Sequence, residues 1–290
     1  MSISAKNITK SIEGKVVLEN LDLEVGSDSF CSILGPTGVG KTTLLRILAG
    51  IEKPDSGNVF YDGVNMMNVP VQKRPNAFVY QQFVNYPSMT IYDNIASPLR
   101  VSDKILSKTE IDERVQKTAK LLRIHDVLHH LPEEVSGGQQ QRCAIARALA
   151  KDAKYFFLDE PLSNLDYKLR EELRNELKHI FSEREGIVVS ATPEPIDALT
   201  MATHVGFLHE RRILQYGEVK DVYEHPSNLE VGSWFSYPKM NIIPCEVFKH
   251  NGTTKLKIND KLNIDIGSQI TELNRDRYLL GIRAHHLSVS

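Results

Sequence analysis

Gly35-Pro36-Thr37-Gly38-Val39-Gly40-Lys41-Thr42-Thr43 matches the pattern G-x-x-x-x-G-K-T. The residues before this stretch, 30–34, are mostly apolar and predict a buried strand. Residues 42–49 have apolar side chains at helical spacing, and Gly50 suits the end of that helix. A strand before the motif and a helix after it are the context that separates a phosphate-binding loop from an ordinary glycine-rich turn.

The residue types of this loop suit the chemistry of phosphate binding. Glycines allow backbone N–H groups to turn inward, and the start of a helix adds partial positive charge. We expect Lys41 to contact the β- and γ-phosphates of a nucleoside triphosphate and the hydroxyl of Thr42 to coordinate Mg²⁺. The motif therefore predicts ATP and Mg²⁺ as ligands.

Length and composition indicate a soluble protein with one large and one small domain. The 290 residues are 41% hydrophobic and 25% charged. A formal net charge of −2 argues against a basic surface for nucleic acid or for an anionic membrane. No apolar run approaches the roughly 18 residues that a membrane span needs, so any membrane role is expected to depend on a partner.

The three cysteines are scattered along the chain, at Cys31, Cys143 and Cys245. Their odd number and spacing predict reduced thiols in a cytoplasmic protein. The first residues contain no apolar segment of the kind found in secretory signals.

The regions around the loop predict an antiparallel β layer. Residues 16–18 and 21–25 are predicted to be two short strands, and Ile12 lies before them. Residues 57–61 are predicted to be another strand, which ends at an Asp62-Gly63 turn.

Residues 74–87 are predicted to run from a strand into an irregular loop that contains Gln81. A glutamine at this position suits contact with Mg²⁺ or with an attacking water. Residues 88–135 have a helical pattern, in which Ser107 and Glu110 have the spacing of a capping box. This pattern predicts a small helical subdomain, about residues 88–150.

Ser136-Gly137-Gly138-Gln139 forms a second candidate anion site. Ser136 is placed to cap an alanine-rich helix that continues to Ala150. The two glycines would leave the backbone N–H groups of this helix start open to a ligand.

A third candidate site is at the end of the apolar strand predicted at residues 155–160. Asp159 is expected to hold Mg²⁺ through water, and Glu160 is expected to polarise the attacking water. Residues 163–166, ending in Asp166, precede an amphipathic helix, and residues 187–191 predict another buried strand.

After about Pro238 the sequence changes to short apolar segments separated by turns such as Asn251-Gly252. Strands are predicted at residues 245–248, 255–258, 262–266 and 278–282. This pattern indicates a small β domain or part of a barrel.

Taken together, these motifs resemble the ATPase subunits of ATP-binding-cassette (ABC) transporters, over residues 3 to about 235. The segment 236–241 and the run Gly281-Ile282-Arg283-Ala284-His285-His286-Leu287 resemble the tail of the maltose-type carbohydrate importers. Residues 80–87 and 164–174 look most similar to one ATPase of the bacterial glycerol importer, which pairs two different ATPases.

The resemblance implies an α/β fold with a RecA-like phosphate-loop core, an antiparallel β subdomain and a helical subdomain. It places the ATP-binding domain at residues 1–235 and a shortened, OB-like, all-β domain at 236–290. It also implies catalytic roles for Glu160 and Gln81, and Mg²⁺ contacts from Thr42, Gln81 and Asp159. Nucleotide contacts are implied for Ile12, for residues 35–43, for Ser136, Gly137, Gly138 and Gln139, and for Asp166.

The implied assembly is a sandwich of two ATPase subunits around two ATP molecules. In each site one subunit provides the phosphate loop and Glu160, and the other provides the Ser136 helix. A groove near Gln81 would accept a short coupling helix of a membrane permease at the cytoplasmic face. An extracytoplasmic solute-binding protein would act indirectly, and no nucleic acid is involved.

The sequence departs from the family pattern at four places. Pro193 stands where the family has a histidine that contacts the γ-phosphate, and Ile12 stands where an aromatic ring stacks on adenine. Val135 replaces a leucine, and the C-terminal β domain is shorter than the resemblance implies.

Three functions remain open from the sequence. The first is an importer ATPase, paired with a second ATPase and carrying a degenerate site of its own, for a small polyol or sugar such as glycerol. The second is a regulatory ATP-binding subunit without turnover, which Pro193 favours. The third is a soluble ABC protein outside transport, for which the sequence has neither a long coiled coil nor a second cassette.

Overall fold

The structure, a computed structural model, describes residues 1–27, 29–82, 84–101, 105–151, 153–163, 165–250, 253–267 and 275–286. Several residues of the sequence motifs lie outside these ranges: Phe83, Asn164, Asn251, Gly252 and Leu287. The chain divides into two compact units, Met1–Val222 and Tyr223–Ser290. The domain boundary expected between residues 235 and 236 stays a prediction.

The elements follow in chain order. The first unit contains β1 Ile3–Ile12, β2 Lys15–Val25, β3 Phe30–Leu34, α1 Lys41–Ala49, β4 Ser56–Tyr61, β5 Val64–Asn65, β6 Asn76–Val79, α2 Ile91–Arg100, α3 Lys108–Leu121, α4 Gly137–Ala150, β7 Tyr155–Asp159, α5 Tyr167–Ser182, β8 Ile187–Thr192, α6 Pro195–Met201, β9 His204–His209 and β10 Arg212–Glu218. Helix α7, Val219–Glu224, spans the boundary. The second unit contains α8 Leu229–Trp234, β11 Asn241–His250, β12 Thr253–Lys257, β13 Asn263–Gly267 and β14 Arg277–Ile282.

A six-stranded sheet of order β10-β9-β3-β8-β7-β6 forms the centre of the first unit. Strand β3 pairs in parallel with β8 and β9, and β7 pairs in parallel with β6 and β8. The carboxyl ends of these strands therefore meet at one edge of the sheet. In open α/β sheets this edge is where ligands bind.

The central strands are buried on both faces, as the apolar runs predict. Every residue of β3, β7 and β8 is buried. One face packs against α1 and the β1-β2-β4 layer, and the other packs against helices α2 to α5. The core thus fixes the ends of three strands. The loop of residues 35–43 follows β3, Asp159 and Glu160 lie at the end of β7, and Pro193 follows β8.

The antiparallel layer has the order β2-β1-β4-β5. The two short strands predicted at residues 16–18 and 21–25 are one continuous strand, β2. That prediction was wrong because Asn20 adopts a left-handed conformation (φ 43°), and the pairing with β1 shifts register there. An irregularity of this kind is accommodated inside a strand as a bulge.

The helical region agrees with the sequence pattern. Ser107 and Glu110 form the predicted capping box at the start of α3, and Ser136 and Gln139 form another at the start of α4. Gly50 ends α1 in a left-handed conformation, as expected for a glycine C-cap.

The second unit contains a four-stranded antiparallel sheet of order β13-β12-β11-β14. Each of the four predicted tail strands overlaps one of these strands. Helix α8 packs on β14 so closely that a Cβ at Gly281 would lie 2.7 Å from Cδ2 of Leu229.

Candidate functional site

The loop after β3 leaves the start of α1 open to an anion. Gly40 is the N-cap residue at φ 110°, and in the described part of the chain no side chain caps the first turn. A side chain at Gly40 would also collide with Val17, since its Cβ would lie 2.9 Å from Cγ1 of that residue. A Cβ at Gly35 would overlap the carbonyl oxygen of Leu208. The loop conformation therefore requires these two glycines.

Lys41 lies in this loop with its ammonium group buried. Nζ donates hydrogen bonds of 2.9 Å to the carbonyl oxygens of Gly35 and Pro36. It also lies 3.6 Å from Oε1 of Glu160. Burial lowers the pKa of the lysine, and the Glu160 carboxylate opposes that effect. The ammonium group is thus held beside the open helix start, where it can exchange loop carbonyls for phosphate oxygens.

Thr42 and Asp159 form the second part of the site. The Thr42 hydroxyl donates a 2.8 Å hydrogen bond to Oδ1 of Asp159, the last residue of β7. Burial raises the pKa of the Asp159 carboxyl, and the hydrogen bond from Thr42 lowers it. A hydroxyl and a carboxylate are oxygen ligands of the type that Mg²⁺ prefers. This pair fits Mg²⁺, and the loop with Lys41 fits a triphosphate.

Glu160 lies between these groups and Gln81. It follows β7 in a left-handed conformation, φ 46°, and its N–H donates to the carbonyl oxygen of Ala191 at 3.0 Å. The predicted strand 155–160 therefore ends one residue early. Gln81 donates a 2.9 Å hydrogen bond from Nε2 to Oε2 of Glu160. Lys41 and Gln81 thus contact different oxygens of one carboxylate.

The Ser136 helix belongs to a separate group of residues in this chain. The Ser136 hydroxyl accepts from the N–H of Gln139 at 3.3 Å, and the Gln139 side chain accepts from the N–H of Ser136 at 2.9 Å. Gly138 packs against Leu169 of α5. Asp166 caps α5 by accepting from the N–H of Leu169 at 3.0 Å. Among the described residues, no hydrogen bond or ion pair joins Ser136–Gln139 to the loop of residues 35–43.

Ile12 and Pro193 are the two positions where we expected an aromatic ring and a histidine from the resemblance. Ile12 ends β1 and is 42% exposed, which leaves an apolar surface without a ring. Pro193 directly follows β8, whose end pairs with the end of β3. A proline has no N–H to donate, so this position offers no hydrogen-bond donor.

Sequence reasoning missed two buried polar side chains, one that joins α5 to α6 and one that fixes the loop before α2. Arg174 of α5 forms a buried ion pair with Asp197 of α6, with Nη2 2.7 Å from Oδ1. Asn94 of α2 is fully buried, and its amide donates to the carbonyl oxygens of Tyr86, Met89 and Thr90. The only sequence signal was a polar residue on an otherwise apolar helix face.

Comparison with known proteins finds the family model "ABC transporter" at residues 18–163. A spermidine/putrescine import ATP-binding protein, PotA of Thermotoga maritima, is 40% identical over 84% of this chain and 66% of its own length. An alpha-glucoside transport ATP-binding protein, AglK of Rhizobium meliloti, is 37% identical over 98% of this chain and 79% of its own length. The chain thus spans about two thirds to four fifths of these relatives.

A solved structure supports the likeness. The ATP-binding cassette MJ0796, a dimer in a post-hydrolysis state with ADP and Pi, matches with a TM-score of 0.68 and 28% identity. The match covers 75% of this chain and 98% of that one. In the part of this chain that the structure describes, no helix has the length and apolar character needed to cross a bilayer.

Proposed function

The chain belongs to the ABC transporter family of ATP-binding proteins, and we propose that it is the ATPase subunit of an importer for a small sugar or polyol. As an ABC ATPase it binds ATP with Mg²⁺ and hydrolyses it. The observation that carries the proposal is the convergence of Lys41, the Thr42–Asp159 pair, Gln81 and Glu160 at one edge of the sheet.

Each of these residues has a distinct role in hydrolysis. Lys41 and the open N–H groups of α1 would bind the phosphates, and Thr42 with Asp159 would hold the metal. Mg²⁺ held by this pair would supply positive charge that stabilises the negative charge of the phosphates. Glu160 accepts a proton from the attacking water, and Gln81 orients the Glu160 carboxylate through its 2.9 Å hydrogen bond.

In the proposed assembly a second ATPase subunit completes each nucleotide site, since one subunit provides the phosphate loop and the other provides the helix that begins at Ser136 in this chain. Among the described residues, the polar start of the Ser136 helix forms no hydrogen bond or ion pair with this chain's own phosphate loop, and we assign this helix start to a partner's nucleotide. Pro193 removes a γ-phosphate contact from this chain's own site only. A partner ATPase that retains its histidine would therefore give one strong and one weak site, and this favours a heterodimer.

A groove of about 870 Å³ in the first unit fits the coupling helix of a permease. Its lining includes Tyr80, Val84, Tyr86, Met89, Pro98 and Arg147. Val84, Tyr86 and Met89 are exposed apolar or aromatic side chains, as at a protein interface. The groove begins next to Gln81, which connects the permease contact to Glu160. The subunit would lie at the cytoplasmic face of the membrane and meet the solute-binding protein only through the permease.

The solute class rests on family likeness alone, because both a sugar and a polyamine importer ATPase are close relatives. The sequence of the loop 80–87 and the tail favours a polyol or sugar, with glycerol preferred. The test is uptake by the chain reconstituted with its co-purified permease and binding protein, with glycerol, glycerol phosphate, a disaccharide and spermidine offered separately. Uptake of glycerol or the disaccharide supports the proposal, and uptake of spermidine alone contradicts it.

A second candidate is a regulatory subunit that binds ATP without turnover, which Pro193 favours. In that case the chain would increase hydrolysis by its partner while its own loop retains ATP. Single-turnover chemistry with radiolabelled ATP in the assembled complex separates the two functions. Labelled ATP that persists at this chain's loop over many partner turnovers would favour the regulatory function.

A further inference from the structure

The first turn of α5 is bonded to two loops beside the nucleotide site. Arg170 donates a 3.0 Å hydrogen bond from Nε to the carbonyl oxygen of Leu162, two residues after Glu160. Its Nη1 lies 3.7 Å from Oε1 of Glu194, the residue after Pro193. One guanidinium group therefore bridges the segments that follow β7 and β8.

Both segments have local bonds that make this bridge effective. The carbonyl oxygen of Glu160 accepts from the N–H of Ser163 at 3.1 Å and from its hydroxyl at 2.9 Å. The N–H of Glu194 donates to the hydroxyl of Thr192 at 3.0 Å. Glu160 has a left-handed backbone conformation, which persists only where the surroundings fix it.

The next turn of α5 anchors the helix to α6. Arg174 lies four residues after Arg170, so both side chains project from the same face of the helix. Its buried ion pair with Asp197 leaves the second oxygen of that carboxylate to accept the Thr192 hydroxyl at 3.2 Å. The position of α5 is thus fixed relative to the end of β8.

The first turn of α5, which carries Leu169 and Arg170, also packs against the Ser136 helix. A side chain at Gly138 would strike the Cδ2 atom of Leu169, the residue before Arg170. Any displacement of this turn would therefore move the start of α4 together with the loop after Glu160.

From these contacts we propose that Arg170 is a positioning residue that ties the loops of this chain's own nucleotide site to the Ser136 helix. The inference rests on the proposed function, in which that helix completes a second ATPase's site. Arg170 touches no substrate. Arg170 holds the first turn of α5, which keeps the loops after β7 and β8 at a fixed distance from the Ser136 helix. Loss of Arg170 would therefore impair ATP turnover more than nucleotide binding.

The test compares three variants of this chain in the assembled transporter. Arg170→Met removes both contacts, and Arg170→Lys retains a cation that reaches one of them. Arg184→Met is the matched control, since Arg184 also donates to carbonyl oxygens, those of Leu149 and Lys151, beyond the far end of α5. The measurements are kcat and KM for ATP, and hydrogen exchange at the Ser163 and Glu194 amides.

We expect Arg170→Met to lower kcat by about tenfold to a hundredfold with KM within about twofold, because small displacements of positioning groups have effects of this size. Exchange at Ser163 and Glu194 should increase, Arg170→Lys should recover part of kcat, and Arg184→Met should change neither readout. A kcat for Arg170→Met within about twofold of the unaltered complex, or an equal loss in Arg184→Met, would overturn the inference.

Absence of hydrolysis in the unaltered complex would contradict the proposed function instead. The exchange measurements then decide the inference alone. If Arg170→Met itself fails to fold, the Arg170→Lys variant against Arg184→Met gives the same comparison, with a smaller expected loss of kcat.

Discussion

The Nζ atom of Lys41 lies 3.6 Å from Oε1 of Glu160, so the loop of residues 35–43 and the carboxylate that we propose as the catalytic base are joined directly. Lys41 begins α1 after the loop that leaves β3, and Glu160 directly follows β7. They meet because β3 and β7 both pair with β8. The ammonium group is shared between Glu160 and two loop carbonyls. An incoming triphosphate would replace part of this arrangement and free Glu160 to act on water.

Replacing Lys41 by alanine should weaken ATP binding at this chain's loop by about a hundredfold, because two charge-assisted hydrogen bonds to phosphate are lost. Titration with a fluorescent ATP analogue measures the affinity. Lys151→Ala is a suitable control, since its Nζ is also bonded to a carbonyl oxygen, that of Asn76, and burial also lowers its pKa. Equal affinity in Lys41→Ala and the unaltered chain would refute the phosphate-loop assignment.

Asp159→Asn should abolish most Mg²⁺-dependent hydrolysis, with a loss of about a hundredfold to a thousandfold. The same change should stabilise the nucleotide-free protein, because burial raises the pKa of this carboxyl and so penalises its charged form. The penalty is small near the carboxyl's ordinary pKa and grows as pH rises through the folded value. The gain in Tm should therefore be larger at about pH 8 than at about pH 4. A variant that is less stable than the unaltered chain at the higher pH would count against this account.

Pro193→His should increase the hydrolysis rate at this chain's own site, by up to about a hundredfold. The backbone that would carry the new histidine is already fixed, because the hydroxyl of the preceding residue, Thr192, donates a hydrogen bond to Asp197. Single-turnover cleavage of ATP bound to this chain's loop measures the effect. Pro195→His, two residues further on at the start of α6, is the control. An unchanged rate in Pro193→His would mean that the missing histidine does not limit this site.

The sequence was sufficient to predict the strand before residues 35–43 and the helix after them, because the signal is local. Residues 35–43 combine glycines, a lysine and a threonine at fixed spacing, and the flanking strand and helix have clear periodicities. The caps of α3 and α4 were equally predictable, since each depends on residues three positions apart.

Contacts between distant segments were not predictable in this way. Nothing in the sequence pairs Arg174 with Asp197, because this contact depends on how α5 packs on α6. The bond from Arg170 to the carbonyl oxygen of Leu162 depends on the path of the loop between β7 and α5. Strands β9 and β10 were missed, since Gly206 in β9 and Gln215 in β10 interrupt their apolar patterns. The continuity of β2 was missed because a bulge at Asn20 interrupts the alternation of apolar residues, and the sequence pattern alone does not distinguish a bulge from the end of a strand.

The unequal-site account makes its sharpest prediction for two variants of this chain. Ser136→Arg places a large cation at the start of α4, where the partner's nucleotide is expected. Glu160→Gln removes the base from a site that Pro193 already weakens. Ser107→Arg controls for the loss of a helix cap, because Ser107 caps α3 with the same capping box and lies in no proposed site.

The most direct measurement is the steady-state rate of ATP hydrolysis by the assembled transporter that carries each variant. The account predicts that Ser136→Arg loses about nine tenths of the rate or more, that Glu160→Gln keeps a substantial fraction, and that Ser107→Arg is close to the unaltered complex. A loss in Glu160→Gln as severe as that in Ser136→Arg would contradict the account, and so would rapid hydrolysis by this chain as a homodimer.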